Sequence, residues 1–265
     1  MPKVSEEYRT LYHYTTWEGL QGILRSQTLW ATKYKFLNDY SELVFFKNKL
    51  ISLATPYARK NVENIMERLP SARRLVKEKG GIGKVVRHEA EALINAQYGA
   101  LGDQVYIASF CGQHANHRTR DNGLLSQWRG YGMLGGAAII FDSRRLEEIL
   151  ELEGTRFAYD AVLLADIVYS DKYRKLRQEL SVDQSLLVDV VKEFFDFKNY
   201  SSGKYIDAAK AFLPFVKCIS RYKHYGFSEE KEVRVVALPT VINKDIQEQA
   251  RAVGVTLKPE KEIKL

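Results

Sequence analysis

"GFSEEKEVRVVALP", residues Gly226–Pro239, carries the strongest strand signal in the chain. Side chains alternate across a strand, so Lys231, Val233, Val235 and Ala237 fall on one face and Glu230, Glu232, Arg234 and Val236 on the other. The first face is mostly apolar and suits a core. The second sets two carboxylates and a guanidinium in a row, and charges tolerate neither full burial nor loss of their partners. That face is therefore expected to look into water or a cleft. Two readings stand side by side: an exposed Glu–Arg pair, or a catalytic carboxylate on a strand.

A second segment, "LYHYTTWEGLQGILRSQTLWAT" at Leu11 to Thr32, sets a histidine between two tyrosines directly before a helix. Thr15 and Glu18 stand in the capping-box relation, with Leu20, Ile23 and Leu24 following at helical spacing. A strand around His13 is thus expected to turn sharply into a short helix. "TLWAT" (Thr28 to Thr32) reads as a further strand and "FLNDYSE" (Phe36 to Glu42) as a loop, with Asn38 and Asp39 either capping the next helix or lining a site. That helix starts near Ser41, with Leu43, Phe46, Leu50 and Leu53 on one stripe. For His13 the alternatives are a ligand-holding imidazole and a core histidine satisfied by the backbone.

The middle of the chain supplies more strands, at Gln104 to Cys111 and Gly136 to Asp142, then a helix in "RRLEEILEL" and one or two strands in "RFAYDAVLLADIVYS". Asp171 to about Ser220 reads as mostly helix. Between Pro56 and Gly99 lie two or three helical patterns broken at Pro70 and at "GGIG" (Gly80 to Gly83), and this is the basic part of the protein. From Arg59 to His88 there are nine Lys or Arg against three Glu, most of a net charge of +7. Such a stretch is either a solvated helical face or the footprint of a polyanion such as a nucleic acid. The expected architecture is one α+β domain spanning residues 1–265, its sheet assembled from distant strands, with a basic helical insertion at about 56–99.

Composition narrows the class. At 45% hydrophobic and 28% charged residues the chain is expected to fold, and no uncharged apolar run approaches the roughly 18 residues of a membrane span. The N-terminus lacks an apolar signal core, and Cys111 and Cys218 form no disulfide framework, so a cytoplasmic protein without membrane partners is expected. "CGQHANH" holds Cys111, His114 and His117, types that bind zinc, but no second ligand pair follows and the loop is cationic; no metal is expected. "GMLGGAA" (Gly132 to Ala138) precedes a strand instead of opening a helix, so it reads as a hairpin turn and not as a phosphate-binding loop.

The segments "LYHYTTWEGLQGILRSQTLWATKYKFLND", "IASFC", "SQWRGYGMLGGAAIIFD" and "GFSEEKEVRVV", in that order, resemble the bacterial family of domains of unknown function numbered twenty-nine seventy-one. That family in turn is similar to a distant branch of the ADP-ribosyltransferase superfamily, with the His, aromatic, Glu signature of its diphtheria-toxin-like and DNA-modifying members. The resemblance implies a split, mixed β-sheet with NAD, as substrate, in the crevice between its halves. It implies that His13, with Tyr14 and Thr15 beside it, holds the adenosine-side ribose, that Glu232 is the catalytic glutamate, and that Glu230 orients the acceptor. Arg234 would pair with Glu232 or hold a phosphate. For the aromatic that stacks on nicotinamide, Tyr34, Trp128 and Tyr131 are all candidates; Trp128 and Tyr131 at helical spacing are otherwise core or pocket wall.

The expected function is accordingly an NAD-dependent ADP-ribosyltransferase of bacterial toxin or phage-defence type. It would modify a nucleic acid or a protein, with an antitoxin protein as a candidate partner. Two alternatives remain: a catalytically inactive nucleic-acid-binding module on the same fold, and an NAD glycohydrolase in which water is the acceptor. They separate by product and by salt dependence.

Overall fold

The computed structural model describes residues 3–37, 40–132, 134–169, 216–217, 220–240, 248–249, 251–254 and 262–264. Helix Asp171 to Ser220 and the cap at Asn38 and Asp39, both expected from sequence, fall wholly or almost wholly outside these residues. The chain forms two compact units, one of residues Met1–Leu37, Asp103–Tyr169 and Lys223–Leu265, the other of Asn38–Gly102 and Ser170–Tyr222.

The first unit is a mixed α and β structure around a six-stranded sheet. Its strands are β1 (Thr10–Thr16), β3 (Thr32–Lys33), β4 (Tyr106–Gly112), β5 (Gly136–Asp142), β6 (Tyr159–Asp166) and β9 (Glu232–Pro239). They lie in the order β5-β1-β4-β9-β6, with β3 also on β4. Each of these ladders is antiparallel, where a mixed sheet was expected. β4 is shared along its length: β1 pairs with it only at Gly112 and Cys111, and β3 takes the same side at Ile107 and Tyr106. The sheet therefore splits beside Ser109. Two short strands, β2 (Thr28–Trp30) and β10 (Glu262–Lys264), pair separately, and β7 (Val168–Tyr169) and β8 (Tyr222–Lys223) form a further two-stranded sheet.

β1 runs directly into α2 (Trp17–Ser26), and the cap is Thr16, whose hydroxyl accepts from the Gly19 amide at 3.1 Å. The cap thus falls one residue after the expected box on Thr15, at the last position of the β1–β5 ladder, where Thr16 stands opposite Gly136. Thr16 has extended backbone angles, so it can end a strand and cap a helix at once. One face of the sheet is closed by α1 (Val4–Glu7), α2 and α8 (Ser143–Arg156) over Leu11, Phe110, Val233 and Val235, all at 0–1% exposure. Side chains of this size contribute about 1.5–3 kcal/mol each when fully buried. The other face carries α6 (His117–Asn122) and α7 (Leu125–Tyr131), with Tyr14, Cys111 and Leu124 beneath.

The second unit contains α3 (Tyr40–Arg68), α4 (Pro70–Glu78) and most of α5 (Ile82–Gln104), and the basic segment expected at about 56–99 lies within it. Pro56 sits inside α3 and does not end it. The flanking Ala54 and Ala58 are fully buried in a cluster with Val62, Val76, Val86 and Ala90, and that burial offsets the missing amide. Pro70 opens α4, where its fixed φ suits a first helical turn. Gly80 and Gly81, at φ +89° and +95°, make the turn into α5 that a side chain would strain.

Candidate functional site

The strand that opened the sequence reading starts at Glu232, four residues after the serine of "GFSEEKE". Tyr225–Glu230 is a 3-10 helix, and Lys231, at φ +44°, turns the chain into β9. Glu230 and Lys231 are therefore not on the strand, and Glu230 does not share a face with Glu232 by alternation. Nor does the charged row look into water. Glu232 is 5% exposed and Arg234 3%, because β9 lies between β4 and β6 and is covered on both faces.

What makes this burial tolerable is pairing. Arg234 donates from Nε to Glu232 Oε1 (2.6 Å) and from Nη2 to Oε2 (3.1 Å), a bidentate clasp between alternate residues of one strand. Lys223, at the end of β8 and 4% exposed, donates to Glu232 Oε2 (3.0 Å) and to Glu230 Oε2 (2.8 Å). Its ammonium also lies 4.8 Å from the centre of the Phe227 ring. The Glu232 amide donates to the Tyr169 hydroxyl at 2.6 Å. Burial by itself would raise the Glu232 pKa, but Arg234, Lys223 and the Ser109 hydroxyl together pull it from 4.5 to about 2. The group is an anion throughout the physiological range.

Register decides which other residues share this face. Glu232 stands opposite Cys111, and Cys111 opposite Tyr12. Tyr12, Tyr14, Cys111, Glu232 and Arg234 thus line one side of the sheet, and Phe110, Val233 and His13 the other. His13 and Glu232 are on opposite faces. The imidazole is tilted on Phe110 at 5.5 Å, and its Nδ1 is 3.0 Å from the Ser109 carbonyl. A carbonyl only accepts, so Nδ1 carries the hydrogen, and burial lowers the His13 pKa and keeps the ring neutral. His13 sits where β1 leaves β4, and it satisfies a carbonyl of β4 at that splay. Thr15 shares its face.

The remaining candidates separate cleanly. Tyr14 is buried; its hydroxyl accepts from the Leu124 amide (2.9 Å), and its ring meets Trp128 edge-on at 5.0 Å. Trp128 donates from Nε1 to the Asn122 carbonyl (2.7 Å). These two rings are wall. Tyr34 is buried beyond β3, at the end of β4 remote from Cys111, about 17 Å along the strand at ~3.3 Å per residue. Tyr131, the last residue of α7, is 44% exposed; burial raises its phenol pKa, and the carboxylates of Glu232 and Glu230 raise it further. Of the three aromatic candidates it is the one in the field of the carboxylate pair.

Burial and the same carboxylates push the Cys111 thiol well above its ordinary value, so it is an inert buried thiol. His117 pairs with Asp121 on exposed α6 (3.1 Å), while Cys111 is buried in β4. Among the described residues no three metal-binding side chains gather, and no helix is long and apolar enough to cross a membrane. Lys223 and Tyr12 are the site residues that sequence reading passed over. Tyr12 had a signal, since in a strand the neighbours of a histidine face away from it. Lys223, in "RYKHYGF", had none.

Residues 127–235 match the model of a family described as protein of unknown function (DUF2971). The matched segment holds Trp128, Tyr131, Lys223, Glu230, Glu232 and Arg234, and does not reach His13. No curated protein and no solved structure matches the chain.

Proposed function

We propose that this protein is an NAD-dependent ADP-ribosyltransferase acting on a macromolecule, with Glu232 as its catalytic carboxylate and the site on the Tyr12–Cys111–Glu232 side of the sheet. The observation that carries the reading is a buried carboxylate, Glu232, clasped by Arg234 and Lys223, whose charge acts on the partly exposed phenol of Tyr131. Breaking the bond between nicotinamide and ribose builds positive charge on the sugar, and a fixed anion stabilises that charge as it develops. Glu232 has no proton to lose before it acts. Glu230, with a side chain 15% exposed, stands nearer solvent, where a general base for the acceptor belongs. Tyr131 offers the flat face for a cationic ring.

The residues do not fit a clamp that uses His13 and Glu232 on one dinucleotide, since the two face opposite ways. In this reading His13 holds the sheet at its split, and Tyr12 occupies the facing position on β1. One observation favours the non-catalytic alternative: both Glu232 oxygens are already engaged by Arg234 and Lys223, as in a structural ion network. A nucleic-acid-binding module would then use the exposed cations of α3 to α5, and a glycohydrolase would differ from the transferase only in releasing free ADP-ribose.

The test is purified protein with labelled NAD, with and without cell lysate as acceptor, comparing wild type with Glu232→Gln, Tyr131→Ala and His13→Ala. Labelling of a macromolecule that Glu232→Gln abolishes and His13→Ala retains supports the assignment. Folded wild type that neither binds nor consumes NAD removes it.

A further inference from the structure

Two carboxylates side by side resist double ionisation: the second to lose its proton does so against the charge of the first. The proposed chemistry needs both, Glu232 as an anion under the developing charge and Glu230 as a base. Alternation along a strand does not bring them together here, because Glu230 belongs to the 3-10 helix that precedes β9. What joins them is a third side chain from another element. Lys223 Nζ is 2.8 Å from Glu230 Oε2 and 3.0 Å from Glu232 Oε2, so one ammonium is hydrogen-bonded to both groups.

We propose that Lys223 is a positioning residue of this site: its buried ammonium ties the Glu230 and Glu232 carboxylates into one unit and lets both be ionised at once. Arg234 clasps Glu232 through two hydrogen bonds, while Lys223 reaches both carboxylates. Arg234 fixes the direction of Glu232, and Lys223 fixes the distance between the pair. The ammonium is itself held at 4% exposure above the Phe227 ring, which belongs to the same 3-10 helix as Glu230. It therefore anchors that helix turn as well as its last side chain. Among the described residues the other groups facing Glu232 are Cys111 and Ser109 of β4, Tyr131 of α7 and Tyr169 of β7; both tyrosines and the thiol are neutral near pH 7, because burial raises all three.

The inference rests on Glu232 being the working carboxylate, and the experiment keeps the two claims apart. In the full chain, carboxyl carbons of 13C-labelled glutamate are titrated by NMR, with Glu232→Gln and Glu230→Gln assigning the two signals. Lys223→Met and Lys223→Gln, the latter keeping a donor in place, should both raise the Glu232 titration by about one pH unit or more, since a cation in contact is removed. Lys223→Arg should restore it. NAD turnover is then followed against pH. Lys223→Met should lower kcat about tenfold with KM for NAD changed far less, and the acid limb of the profile should move up with the carboxylate. Unchanged carboxylate titrations in folded Lys223 variants overturn the clamp. A shifted titration with no NAD turnover even in wild type leaves the clamp standing and overturns the transferase reading.

Discussion

Replacing Glu232 by glutamine removes one charge from a buried cluster and almost nothing else, which makes it the sharpest probe of how this sheet tolerates ions. The carboxyl titrates near 2 in the fold against 4.5 ordinarily. A depression of about 2.5 units corresponds to ~3 kcal/mol at about 1.4 kcal/mol per unit. The same size follows from the cost of breaking a buried pair, about 3–5 kcal/mol, because Arg234 and Lys223 keep their charge and lose their anion. Sign and window follow from linkage. A carboxylate whose pKa is depressed by folding contributes its full stability above the unfolded value and loses it as pH falls through the folded one. Urea unfolding of wild type and Glu232→Gln should therefore differ by ~3 kcal/mol at pH 7, and the difference should shrink steadily from about pH 5 towards pH 2. Other carboxylates titrate in both proteins and cancel in the difference. A gap below about 0.5 kcal/mol at pH 7, the range of an ordinary surface change, or one that does not vary with pH, refutes the claim that this buried anion is held by its cations.

Other substitutions probe the neighbouring parts. His13→Ala should destabilise by about 1–3 kcal/mol by leaving the Ser109 carbonyl unpaired at the split, measured by urea unfolding, with His13→Asn recovering part of the loss. Gly123→Ala should cost about 1–3 kcal/mol, since φ is +76° and the new methyl would sit 2.6 Å from Trp128 Nε1 and 2.8 Å from the Tyr14 hydroxyl; a neutral result would show that this loop is not locked to those rings. Tyr131→Ala, at an exposed position, should leave stability within about 0.5 kcal/mol while reducing NAD turnover. If the exposed helices bind a nucleic acid, log affinity should fall linearly with log salt, and removing Lys77, Lys79 and Lys84 together should reduce the slope by about 2 to 3; binding indifferent to salt would exclude that use.

The sequence by itself determined the local elements. Period-two and period-3.6 patterns, a threonine before a helix and a proline at a helix start are contacts between near neighbours, and β1, α2, β5, α8 and the turn at Gly80 and Gly81 follow from them. It also singled out Glu232 and Arg234 as one charged face of one strand. Only the tertiary structure decided what that face meets. Alternation gives two faces without saying which is covered, and β9 became buried on both because β4 and β6, from distant parts of the chain, flank it. That His13 and Glu232 lie on opposite faces of the sheet followed from the register of β1 on β4 and of β4 on β9, two pairings no local pattern encodes. Lys223 entered for the same reason. A charge in the middle of a sheet needs an opposite charge within hydrogen-bonding reach, and the chain supplied it from a separate strand, where nothing in the spacing of residues gives it away.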